Sequence, residues 1–121
     1  MLSDKLTLLH EEFNNYHAMS VERTDYVRIY VAGDYDTVRR ACRDFCFSSG
    51  AVVSVSRNEV IYQGGHEPGA EILLVNYPKR PTTSTELFKT ASRLAKHVLE
   101  ECRQNSSLLV TEEFTYWITR Q

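Results

Sequence analysis

The motifs missing from this sequence narrow its function first. It has no GxxxxGK[ST] loop, no GxGxxG turn and no nucleophile elbow, so the common phosphate-cradling and acyl-enzyme patterns are excluded. Cysteine is scarce: three residues, an odd number, do not make a disulfide scaffold. Cys42 and Cys46 stand one helical turn apart, with no second Cys or His pair to complete a zinc site. The expectation is therefore partly buried thiols in a reducing cytosol, with no metal and no cofactor. Basic charge is not in excess. Fourteen Lys and Arg against 16 Asp and Glu leave −2, which argues against the counterion-displacing surface of a general nucleic-acid binder. No apolar run is long enough to span a membrane as a helix. The stretch "MLSDKLTLLHEEFNNYH" carries early acids and no apolar core, unlike a secretory signal, so the expected compartment is the cytoplasm.

What is present is globular. Hydrophobic residues make up 42% of 121, enough for one core without metal or disulfide support. The expectation is one domain over 1–121, with an N-terminal helix in 1–20 and a core over 26–119. Leu2, Leu6, Leu9 and Phe13 recur at helical spacing, so this first helix should pack on the domain or on a neighbouring subunit. "YVRIYVA" alternates, with Val27, Ile29 and Val31 on one face and Tyr26, Arg28 and Tyr30 on the other. Asp34 or Asp36 caps a helix whose stripe is Val38, Ala41, Cys42 and Phe45, and Gly50 stops it. Arg39, Arg40 and Arg43 fall on its outer side and read as a solvated face. "AVVSVSRNEVIYQG" reads as two strand pieces divided at Arg57-Asn58. Ile72 to Val75 form a continuous apolar run, expected in a central strand covered on both sides.

Thr83 and Glu86 have capping-box spacing at the start of the longest helix. Its stripe is Leu87, Ala91, Leu94, Val98 and Cys102, widened by Phe88, Ala95 and Leu99, with His97 on the polar side. "SLLVTEEFTYWIT" is a last strand with a break at Glu112-Glu113. Tyr116 and Trp117 point to opposite faces of it, one expected in the core and the other in a pocket or interface. The plan strand, helix, broken strand occurs twice, which is the ferredoxin-like α+β sandwich, β-α-β-β-α-β with an extra N-terminal helix. The tyrosine-rich sheet face suits burial against a second copy, so a homo-oligomer is expected.

Chemistry is expected in "YQGGHEPGAE". Gly64 and Gly65 let a backbone approach a ligand closely. Tyr62, Glu67 and Glu71 flank the loop and suit a cationic or amine-bearing small molecule. His66 is a lone base candidate; His10 and His17 lie on or after the first helix. The bland alternative is a solvated hairpin turn set by Pro68-Gly69.

The stretch "IYQGGHEPGAEILLV", followed by "FKTASRLAKHVLEECRQNSSLLVTEEFTYWIT", resembles the phage S-adenosylmethionine lyases, first described as hydrolases. The resemblance covers the order of elements over residues 26–119. In that family a tyrosine ends a central strand and a glutamate opens the next, as Tyr62 and Glu71 do here. Glu67 and Glu71 both stand as candidates for the glutamate. The resemblance implies a ferredoxin-like oligomer with sites near subunit boundaries. Its substrate would be S-adenosylmethionine, cleaved to 5′-methylthioadenosine and homoserine lactone. Glu71 would grip the substrate ammonium and Tyr62 would order the tail. The implied role is anti-restriction, by removing a methyl donor. Two other classes stay open: a non-enzymatic phage or bacterial inhibitor of a host protein, and a ligand-binding module without turnover.

Overall fold

A computed structural model describes residues 1–16 and 19–120. The elements run α1 (Leu2–Glu12), β1 (Tyr26–Ala32), α2 (Tyr35–Ser49), β2 (Ser54–Tyr62), β3 (Gly65–Val75), α3 (Ser84–Glu101), β4 (Ser106–Val110) and β5 (Thr115–Thr119). The five strands form one antiparallel sheet in the order β2-β3-β1-β4-β5. The first four positions are the ferredoxin-like order expected from the doubled strand-helix-strand plan. β5 is added at the edge, through a turn in which Thr111 N–H donates to Phe114 O. The break foreseen at Glu112-Glu113 is this turn.

Both crossovers place their helices on one side, where α2 and α3 pack together on the sheet. The core joins Val27, Ile29 and Val31 of β1, Ala70, Ile72 and Leu74 of β3, and Leu109 of β4. From the helices come Val38, Ala41 and Cys42 of α2 and Leu87, Ala91, Leu94, Ala95, Val98 and Leu99 of α3. Each large aliphatic side chain sealed there contributes roughly 1.5–3 kcal/mol. The caps match the sequence. The Asp34 carboxylate accepts from Thr37 N–H, and Gly50 ends α2 at φ +77°, where a side chain would be strained. Thr83 Oγ1 accepts from Glu86 N–H at 3.1 Å, whereas the Glu86 carboxylate faces Lys89 Nζ at 3.5 Å. Only the Thr half of the expected box is drawn on.

Four expectations are corrected. β2 is one strand, not two: Ser54 to Tyr62 pair residue by residue with Leu73 back to Gly65, so Arg57-Asn58 makes no turn. β3 is covered on one face only, because both helices lie on the same side; Leu73 and Val75 are half-buried on the other face. α1 ends at Glu12 and buries none of its residues, so of the two expected places for its leucines the domain is not the one; packing on a neighbouring subunit is untouched by this. His97 is not on a polar side: its ring lies 6.0 Å from that of Phe45, and its Nε2 is buried without a hydrogen-bond partner. His10 is exposed on α1, and His17 lies outside the described residues.

Candidate functional site

The segment read as a loop is mostly strand. Only Gln63 and Gly64 turn the β2–β3 hairpin, with Gly64 at φ +87°. Gly65, His66, Glu67, Pro68 and Gly69 are the first residues of β3. The last β1 partner is Ala32, opposite Gly69, so residues 59–68 project as a two-stranded arm. Pro68 is tolerated because it lies just beyond that last pair, and its carbonyl accepts from Gly33 N–H at 2.9 Å. Gly69 has a different task. A Cβ there would lie 2.1 Å from the Val31 carbonyl oxygen, so glycine is what lets β3 approach β1.

Strand alternation sorts the predicted site residues. Tyr62, Glu67 and Glu71 share the sheet face that carries no helices. His66 points to the other face, where Nδ1 meets the Glu59 carboxylate. Sharing a face is not proximity. Tyr62 pairs with Gly65, six residues along β3 from Glu71, which separates them by roughly 20 Å. Glu67 lies between them, roughly 14 Å from Glu71 along the strand. Within one chain Tyr62 and Glu71 are therefore not neighbours.

The structure instead gives Glu71 two partners that the sequence reading did not assign. Tyr30 pairs with Glu71 in the β1–β3 register. Arg28 Nε lies 3.8 Å from Glu71 Oε2, and its guanidinium also sits over the Tyr26 ring, 5.0 Å from the centroid. The Tyr30 phenol is held above its ordinary value, first by the neighbouring Glu71 carboxylate and then by burial. At neutral pH Tyr30 is thus a proton donor beside a carboxylate. The alternation of "YVRIYVA" already set Tyr30 and Arg28 on this face; the β1–β3 register was the missing step.

Beside this cluster the bare face dips into a depression of about 470 Å³, with Tyr30, Val60, Glu67, Ser106, Leu108 and Trp117 in its wall. Among the described residues no Lys or Arg lines it. A concave, partly aromatic, acid-bearing surface suits a small cation. The larger hollow of about 870 Å³, at the Asp25–Thr111 end, contains none of the predicted site residues. Neither Tyr116 nor Trp117 is core: Tyr116 packs on Phe88 at 5.1 Å on the helix side, and Trp117 stands on the bare side. The thiols are poor nucleophiles. Burial pushes Cys42 up to about 12, and Cys46 and Cys102 are also raised, first by burial. Among the described residues no three Cys, His, Asp or Glu group as metal ligands. Among the described residues no helix is long and apolar enough to cross a membrane.

This fold has solved counterparts. A phage SAM lyase structure in the apo state aligns with a TM-score of 0.64 at 15% identity, covering 88% of this chain and 98% of that one. A phage SAM lyase in complex with S-methyl-5′-thioadenosine aligns with a TM-score of 0.61 at 14% identity, covering 87% and 96%. The chain shares its fold with these lyases. No protein-family model matches it, and no curated protein matches it by sequence.

Proposed function

We propose that this protein is a lyase that cleaves S-adenosylmethionine to 5′-methylthioadenosine and homoserine lactone. The observation that carries the reading is the Glu71–Tyr30 pair on the bare face, beside an acid-lined, aromatic depression. Its support from likeness is a shared fold with a lyase that holds a methylthioadenosine.

The reaction asks little covalent work of the protein. The substrate carboxylate attacks its own γ-carbon, forming the C–O bond of the lactone. The C–S bond breaks and its electron pair stays on sulfur, so a sulfonium leaves as a neutral thioether. No proton is transferred and no co-reactant is consumed. What the protein supplies is the folded tail, since orientation provides much of the acceleration. Glu71 holds the substrate ammonium. Tyr30, kept protonated, fixes the tail beside it. This is the role that the resemblance assigned to Tyr62. Charge is neutralised along the reaction, so a weakly polar surface such as Leu108 and Val60 favours the transition state.

The bare face completes this reading. Tyr26, Leu73, Val75, Leu108 and Val110 are half-buried there with no second layer over them. A second copy of the chain covers them, placing the site at a subunit boundary. In such an assembly the projecting arm, with Tyr62 at 53% exposure, reaches the neighbouring copy. Gly64, Gly65, His66 and Glu67 then contribute through that arm. The protein acts in the cytoplasm, where removal of the methyl donor blunts restriction.

Incubation with S-adenosylmethionine, followed by chromatography for 5′-methylthioadenosine, tests this. Wild type is expected to form the product. Glu71→Gln, which keeps shape and removes charge, should lose about 10- to 100-fold, the range of a charge-assisted hydrogen bond. Tyr30→Phe should lose more than Tyr62→Phe. Full activity in Glu71→Gln would overturn the site. No product, but a ligand-induced thermal shift, would leave a binding module without turnover.

A further inference from the structure

Trp117 lies outside the hydrophobic core. It lies on the edge strand β5, 65% exposed, and among the described residues it stacks on no other ring. A large aromatic at the rim of a concavity presents a flat apolar face on which another ring can stack. Its position is defined by register. Glu71 pairs with Tyr30, Tyr30 with Leu108, and Leu108 with Trp117, so the four stand in one row across β3, β1, β4 and β5. Three strand spacings separate Glu71 from Trp117, roughly 14 Å. An ammonium-binding carboxylate lies at one end of the row and an indole at the other. The aliphatic Leu108 forms the floor between Tyr30 and Trp117, with Glu67 also lining the depression.

We propose that Trp117 is the platform on which the adenine ring of the substrate stacks. The inference rests on the S-adenosylmethionine reading of this face. It adds the orientation: aminoacid tail over Glu71 and Tyr30, purine on Trp117, sulfonium between them within reach of the acidic wall. Base–aromatic stacking discriminates by shape and accepts any purine nucleoside, so adenosine alone should bind and methionine alone should not reach this end.

Trp117 is the single tryptophan of the chain, so tryptophan fluorescence reads this position directly. Titration of the intact protein with 5′-methylthioadenosine and with adenosine should give a saturable change; methionine should give none. Trp117→Ala should raise KM about 5- to 100-fold, the range expected for one lost stack, with a much smaller change in kcat. Trp117→Phe should recover most of that loss, which a merely folding-deficient variant would not do. Turnover without any fluorescence response, and with KM unchanged in Trp117→Ala, overturns the platform while leaving the lyase standing. A saturable response without turnover supports the platform and overturns the lyase. No response and no turnover overturns both.

Discussion

Along β1, Val27, Ile29 and Val31 are sealed under two helices, whereas Tyr26, Arg28 and Tyr30, each one residue away, stand on a face over which the described residues build no second layer. The same alternation runs down β3, with Ile72 and Leu74 against the helices and Glu71, Leu73 and Val75 opposite them. One face is a finished core. The other combines ionisable, aromatic and aliphatic groups that are only half-buried. The contrast separates what stabilises this chain from what it can recognise. The covered face is satisfied within a single copy. The bare face is left half-buried in a single copy.

The largest expected effect tests that division. Ile72→Ala empties a fully buried site and should cost about 2–5 kcal/mol in denaturant unfolding. Leu73→Ala, the next residue, should cost much less in a dilute, dissociated chain. If it costs as much, the bare face is part of the folding core and the division fails. Size-exclusion chromatography sharpens it further, because Leu73→Ala should weaken self-association and Ile72→Ala should not act there selectively.

Where the two faces meet the arm, Gly69 gives the next effect. Its missing side chain permits contact with Val31, so Gly69→Ala must push β3 from β1. Overpacking of this kind costs about 1–3 kcal/mol. It should also disturb the pairing that holds Glu71 beside Tyr30, so activity should fall further than stability alone accounts for. An alanine variant as stable as wild type would show that the strands absorb the added carbon.

The sequence was legible where one face of one element decides the outcome. The stripe Leu87, Ala91, Leu94 and Val98, the caps Asp34 and Thr83, and the strand of β1 all follow from local periodicity and capping chemistry. It was misleading where pairing decides. Arg57-Asn58 resembles a turn, yet β3 offers nine successive partners and carries the strand through it. Pro68-Gly69 resembles a turn too, but lies in strand because β1 has just ended there. The same cause hid the separation of the candidate residues. Tyr62 and Glu71 are nine apart in sequence and look adjacent across a loop; a two-residue turn puts them roughly 20 Å apart. Tyr30, forty-one residues before Glu71, becomes its neighbour through a register that no local pattern encodes.

The last effect, absent at neutral pH, concerns protons, one group on each face. Cys42 is raised by burial to about 12 from 9.0, and Tyr30 is raised from 10.0, first by its contact with Glu71. An upward shift means that the folded chain holds the proton more tightly than the unfolded chain does. Its stabilisation is therefore whole below the unfolded pKa and drains away as pH rises towards the folded one. For Cys42 the loss should run from about pH 9 to about pH 12. For Tyr30 it should begin only above pH 10 and be smaller, because the phenol is not sealed from water. Unfolding free energy measured across this alkaline range should fall less steeply in Cys42→Ala than in wild type, and slightly less steeply in Tyr30→Phe. The absolute stability of each variant does not matter; the slope does. Identical slopes in wild type and Cys42→Ala would mean that water reaches the thiol, and that the covered face is less sealed than its burial indicates.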